Sequence, residues 1–103
     1  MVLYSNMRTP VIPACPISNV IILLSDRWTM QILYQLNLGV KGFCELETAL
    51  SGISTRTLTL KLKKLIDEGL VVKLPSGKYE TTRRGKGLRV LENAMRKYAD
   101  KYL

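Results

Sequence analysis

The feature that most limits how this chain can fold is a three-residue break, Ser51-Gly52-Ile53, between two stretches of helical periodicity. Upstream, Phe43, Leu46, Ala49 and Leu50 fall on one face of a helix that begins after Gly42. Downstream, Leu58, Leu62, Leu65 and Ile66 form a second apolar stripe, expected to pack on the first helix. Ser54 stands where its hydroxyl can accept from first-turn N–H groups. Gly69 fits the left-handed position just past the helix end at Glu68.

The flanking segments extend this unit. Residues 1–14 hold Pro10 and Pro13 with little periodicity and read as an N-terminal arm. Ile17 to Leu24 is a short apolar helix with Pro16 in its first turn. Trp28, Ile32, Leu33 and Leu36 give the next helix, which Gly39 stops. Leu70 to Leu74 reads as a strand, Pro75-Ser76-Gly77 as a turn and Lys78 to Thr81 as the returning strand. Thr82 is placed to cap one long final helix, about residues 83–102. The expected fold is mostly α with a small β-hairpin wing: one winged helix-turn-helix domain over residues 15–103.

Charge points to a partner. The net charge is +8 over 103 residues. Ser54 to Arg89 carries ten Lys and Arg against three acids, which is nearly all of the excess in one third of the chain. A concentrated basic segment favours polyanions, double-stranded DNA first. The longest apolar run, Val20 to Leu24, is far short of the ~20 residues that cross a bilayer, so no membrane partner and a cytoplasmic location are expected. With no histidine, two distant cysteines and no glycine-rich phosphate loop, no pattern asks for an enzyme, a metal or a cofactor.

The helix opened by Ser54 and Thr55 presents Arg56, Thr57, Leu60, Lys63 and Lys64 opposite its apolar stripe, with Lys61 and Thr59 at the flanks. Arg can donate two bonds to guanine, Thr can meet a base edge or a thymine methyl, and the lysines can neutralise phosphates. Leu60 is open to two readings: a contact to thymine methyls, or an incidental exposed leucine. Lys73, Ser76, Gly77 and Lys78 make a basic hairpin tip that suits a minor groove or phosphate ridge, or serves solubility alone. Arg83 and Arg84 oppose the dipole of the helix they open, which a phosphate or an acidic neighbour would relieve.

Leu88, Leu91, Met95, Tyr98 and Tyr102 recur at alternating intervals of three and four residues, a seam of coiled-coil type. It can pack on the domain's own core or, with Ile17 and Ile21 of the first helix, form an isologous homodimer. A dimer would present two recognition helices to successive major grooves, about 34–36 Å apart.

These residues together resemble the HxlR-type regulators, a branch close to the MarR family. The carriers are Cys15-Pro16, Arg27-Trp28-Thr29 with Ile32-Leu33 and Leu36, and Phe43-Cys44-Glu45-Leu46. Gly52-Ile53-Ser54 with Thr57-Leu58-Thr59 and Leu62 follow, then Leu65, Glu68-Gly69-Leu70-Val71, Tyr79, Thr82 and Gly85. The resemblance implies a dimeric winged-helix repressor or activator joined through its terminal helices. It also implies a role for Cys15, since some members sense oxidants or electrophiles through the cysteine of the Cys-Pro pair. Three departures stand out: a short wing, Leu60 in place of a polar residue, and Cys44 in place of a capping serine. On the residues alone, Cys15 is either an accessible sensor thiol or a small apolar group at the dimer contact. Cys44, beside Phe43 at a helix start, fits burial as well as a thiolate.

The reading is therefore a sequence-specific, double-stranded DNA-binding transcription regulator, with an oxidant or small-molecule signal left open. The alternatives are a winged-helix module for another protein and a nonspecific DNA-coating protein.

Overall fold

Six helices and one hairpin make up the computed structural model, which describes residues 15–103. The helices before the hairpin are α1 (Pro16–Leu23), α2 (Arg27–Leu38), α3 (Phe43–Ala49) and α4 (Thr55–Asp67). The hairpin strands are β1 (Val71–Lys73) and β2 (Tyr79–Thr81), followed by α5 (Arg83–Lys86) and α6 (Arg89–Tyr102). The expected arm, residues 1–14, lies outside the described residues. No helix among the described residues is long and apolar enough to cross a membrane.

The core forms where α2, α3, α4 and β1 meet. Ile32, Leu33 and Leu36 of α2 pack with Leu46 and Leu50, with Leu58, Leu62 and Leu65 of α4, and with Leu70 and Val71. Each fully buried side chain of this size contributes ~1.5–3 kcal/mol. The stripe read from sequence loses one member: Ile66 is 37% exposed. Eight residues beyond Leu58, at 3.6 per turn, it has rotated about 80° off the buried line.

The break between α3 and α4 is closed locally. Ile53 N–H donates to Leu50 O at 3.1 Å, and Gly52 takes φ 94°, a conformation L side chains avoid. Ser54 caps α4 by accepting from Thr57 N–H at 3.0 Å.

In the hairpin Val71 faces Thr81, Val72 faces Glu80 and Lys73 faces Tyr79. A further bridge joins Lys41, just before α3, to Tyr79, with Tyr79 N–H donating to Lys41 O at 2.8 Å. The sequence offers no signal for this one-residue pairing. It ties the base of the wing to the entrance of the helix-turn-helix unit.

The long helix expected after Thr82 is two helices. Thr82 does cap the first, accepting from Gly85 N–H at 3.3 Å. Gly85 and Gly87 disfavour continuation, and the chain tightens so that Leu88 N–H donates to Gly85 O, three residues back. The turn sends Leu88 against the core. From there α6 begins, with Glu92 N–H donating to Leu88 O at 3.0 Å.

One amide joins the pieces on this side. Asn37 of α2 donates through Nδ2 to Glu92 Oε2 at 2.9 Å and to Gly85 O at 3.2 Å, while its Oδ1 accepts from Thr81 Oγ1 at 2.7 Å. Thr81 and Glu92 are both buried. The wing base, α5 and α6 are thus all hydrogen-bonded to a single side chain of α2.

Candidate nucleic-acid interface

The capping serine, the buried leucine stripe and the stop at Gly69 (φ 75°) fix which face of α4 turns outward. Arg56, Leu60, Lys63 and Lys64 are exposed there, and Leu60 is 54% accessible. Thr57 is half-buried on the same side.

The hydroxyls divide. Thr55 Oγ1 donates to Glu47 Oε2 of α3 at 2.6 Å, and Thr59 Oγ1 donates to Thr55 O at 2.8 Å. Their protons are committed within the domain. Phosphate oxygens only accept, so these two hydroxyls have no proton for a phosphate, and toward a ligand they keep their methyl groups and the lone pairs that accept from a donor. Thr57 Oγ1 accepts from Ser54 Oγ at 2.9 Å, which leaves its own proton to donate outward. Arg56 and Thr57 are therefore the side chains of this face with donors turned outward, beside the cations Lys63 and Lys64.

Lys61 differs from the others. Its Nζ lies 3.2 Å from Asp26 Oδ2, at the start of α2. Asp26 is also the cap of α2, accepting from Thr29 N–H at 2.9 Å and from Thr29 Oγ1 at 2.6 Å. Partial burial alone would raise the Asp26 carboxyl. The hydrogen bonds from Thr29, with those and the charge of Lys61, outweigh it and hold the group below its usual range.

The wing approaches α4 through a groove of about 390 Å³, lined by Lys63 and Thr59 on one side and Lys73 and Tyr79 on the other. Lys63 and Lys73, apart in sequence, thus border one channel, and Ile66 lies along it. Lys73 Nζ stands 5.8 Å from the Tyr79 ring centre. At the tip, Ser76 and Gly77 are exposed and Gly77 takes φ 90°. Lys78 is paired with Glu45 Oε1 at 3.6 Å. The Gly42 N–H and Lys78 lower the Glu45 carboxyl. Arg84 Nη1 donates to Glu68 O at 2.6 Å, at the carbonyl end of α4, where the helix dipole welcomes a cation. That contact relieves the placement that looked unfavourable in the sequence. Arg83 is exposed, and its guanidinium makes no hydrogen bond or ion pair among the described residues.

Behind this surface lies an apolar face. A groove of about 810 Å³ runs between α1, α2 and α6, past Ile17 and Ile21, and a second of about 510 Å³ continues past Tyr34 and Tyr98. Met30 and Met95 line both. Ile17, Ile21, Met95, Tyr98 and Tyr102 are exposed and Leu91 is half-buried, while Leu88 is drawn into the domain. The Tyr98 and Tyr102 rings stand 4.9 Å apart.

Cys15 is the N-cap of α1, its Sγ accepting from Ser18 N–H at 3.4 Å. Hydrogen bonds from the Ser18 hydroxyl and N–H lower its thiol below the ordinary value, against a smaller desolvation. It is half-buried. Cys44 is exposed and second in α3, where Gly42 is the cap and the Glu45 carboxylate accepts its N–H at 2.8 Å. Among the described residues no three Cys, Asp or Glu side chains converge to hold a metal ion.

Residues 23–103 match the model of the HxlR-like helix-turn-helix family. The chain belongs to that family. An uncharacterized HTH-type transcriptional regulator of Synechocystis is 34% identical over 95 residues, spanning 86% of this chain and 70% of its own. The quinone-bound structure of YodB from Bacillus subtilis superposes with a TM-score of 0.76 at 29% identity, over 85% of this chain and 99% of that one. YodB has also been solved reduced and after diamide treatment. A MarR-family transcriptional regulator from Porphyromonas gingivalis gives a TM-score of 0.80 at 26% identity, over 93% of this chain and all of its own. As an HxlR-like protein, the chain is a helix-turn-helix transcriptional regulator with a winged-helix fold.

Proposed function

We propose that this HxlR-like regulator binds a particular duplex sequence as a homodimer, with α4 in the major groove and the hairpin beside it. The observation that carries the reading is the outward face of α4. Arg56, Leu60, Lys63 and Lys64 are exposed on it, and none forms an ion pair among the described residues. Lys63 and Lys73, on a groove that Asp67 also lines, support phosphate contacts at α4 and at the wing. The apolar face of α1 and α6 supports an isologous contact, because one patch of that size on a small monomer is a surface to be covered.

The experiment is duplex binding against salt and competitor. Affinity should fall steeply as salt rises, and a selected site should beat unrelated DNA by orders of magnitude. Absence of binding at low salt would remove the reading and favour a protein partner. Equal affinity for all duplexes would leave a DNA-coating protein.

The signal enters at Cys15. Its thiol is lowered and caps α1, a helix of the proposed dimer face. The likeness to YodB, solved with a quinone and after diamide, supports an oxidant or electrophile as the input. Mild oxidation should shift the operator affinity of the native protein and leave Cys15→Ser unchanged. An equal response in both proteins would rule Cys15 out.

A further inference from the structure

The cations of α4 are not equivalent. Lys61 is the one that the fold itself neutralises, since the carboxylate 3.2 Å from its Nζ belongs to the cap of α2. That carboxylate is not a loose surface acid. Both its oxygens accept from Thr29, which is buried, so its position is fixed by the start of α2. The Lys61 and Asp26 side chains are 27% and 31% exposed, enough for the pair to open without unfolding anything. Among the described residues it is the one ion pair between α4 and α2.

We propose that Asp26 masks Lys61, keeping one cation of the recognition helix off DNA so that it adds a phosphate contact only when the pair opens. The inference rests on the reading of α4 as a DNA-binding helix. Its physical sense is selectivity. Every phosphate neutralised strengthens binding to all sequences alike, whereas base contacts strengthen binding to one. A lysine held in reserve lowers affinity for unrelated DNA and leaves the reading by Arg56 and Thr57 untouched. The restraint raises the ratio of specific to nonspecific affinity, the quantity that decides where a regulator sits, because the pair opens only when α4 is fully seated on its own site; a pair closed on every duplex would leave that ratio unchanged.

The test is a double-mutant cycle: the native protein, Asp26→Asn, Lys61→Gln and the double variant. Asparagine retains the capping oxygen and removes the charge, so α2 keeps its start. Affinity for an unrelated duplex is measured against salt. Lys61→Gln in the native background should leave the salt slope unchanged. Asp26→Asn should steepen it by ~0.9, one phosphate's worth, which is about three- to fourfold more loss between 50 and 200 mM salt. The double variant should return to the native slope, which separates Lys61 from the general effect of deleting an acid.

If Lys61→Gln flattens the slope equally with and without Asp26, Lys61 touches DNA regardless and the masking idea is overturned, while DNA binding stands. Masking is overturned in the same way if Asp26→Asn leaves the slope alone. If the native protein binds no duplex at low salt, the reading of α4 fails and the masking falls with it. Amine reactivity gives a readout free of DNA: acetylation of Lys61 should be slower in the native protein than in Asp26→Asn, and equal rates would again overturn the proposal. Asp26→Ser, which keeps a capping hydroxyl, repeats the comparison should the asparagine variant fold poorly.

Discussion

On the outward face of α4, side-chain chemistry separates residues that can distinguish bases from residues that only sense charge. Arg56 is exposed near the N-terminal end of the helix and carries the forked donors that match guanine. We expect Arg56→Ala to cost ~1–3 kcal/mol and to relax preference at one base position. Lys63→Ala should weaken all sequences evenly and reduce the salt slope by about one. Parallel binding curves on the selected site and its single-base variants separate the two. The membership of the exposed face was legible in the sequence, because helical spacing alone sets which residues face away from Leu58, Leu62 and Leu65. The engagement of Thr55 with Glu47 and of Lys61 with Asp26 was not legible. Both are contacts between elements, and no local pattern encodes them. A different limit applies to Gly85. A β-carbon there would collide with the carbonyl oxygen of Leu70 and lie 3.0 Å from the Thr81 side chain. Gly85→Ala should destabilise the domain by ~1–3 kcal/mol, as overpacking does, and lower the thermal midpoint by several degrees.

Among the elements, the hairpin and α6 depend on the same side chain of α2. Removing the Asn37 amide leaves the Glu92 carboxylate and the Thr81 hydroxyl without the partner they share. Asn37→Ala should therefore cost ~1–3 kcal/mol or more in a urea titration, since a buried charged group loses its donor. Changing Glu92 to Met in the same protein should restore part of that loss by removing the stranded charge. A surface role for Asn37 would leave the midpoint where it was. The sequence marked the strands, the turn and the cap at Thr82 through β-branched residues, Gly77 and a hydroxyl. It did not mark the division of the last helix. The periodicity of Leu88, Leu91 and Met95 begins only after Gly87 and says nothing of the turn before it, and only packing of Leu88 on the core shows that the exposed seam starts one position later.

Taken whole, the molecule has a charged front and an apolar back on opposite sides of α2. The seam read in the sequence is exposed from Met95 onward, and α1 extends it with Ile17 and Ile21. Tyr98→Glu should yield a monomer in sedimentation, with little change in unfolding midpoint, because Tyr98 is 61% exposed in the single chain. Operator affinity should fall with it, since each monomer then reads one half-site. A stable dimer with Glu at position 98 would place the contact elsewhere. The winged-helix fold was readable because three local signals coincide: a glycine break, a capped basic helix and a glycine-tipped hairpin. Of the proposed second copy the sequence shows only an apolar stripe, since periodicity reports that a face is apolar and not what lies on it.

The triple attachment of Asn37 has a consequence for how such regulators can be recombined. A wing transplanted by itself would bring a new residue to the place of Thr81 and leave the amide with an unanswered oxygen. A transplanted α6 would do the same to the nitrogen that holds Glu92. The smallest exchangeable cassette in this protein is the segment from Thr81 to Glu92 carried together with position 37. Chimeras cut on those boundaries should be more stable, by ~1–3 kcal/mol, than chimeras cut at the wing alone.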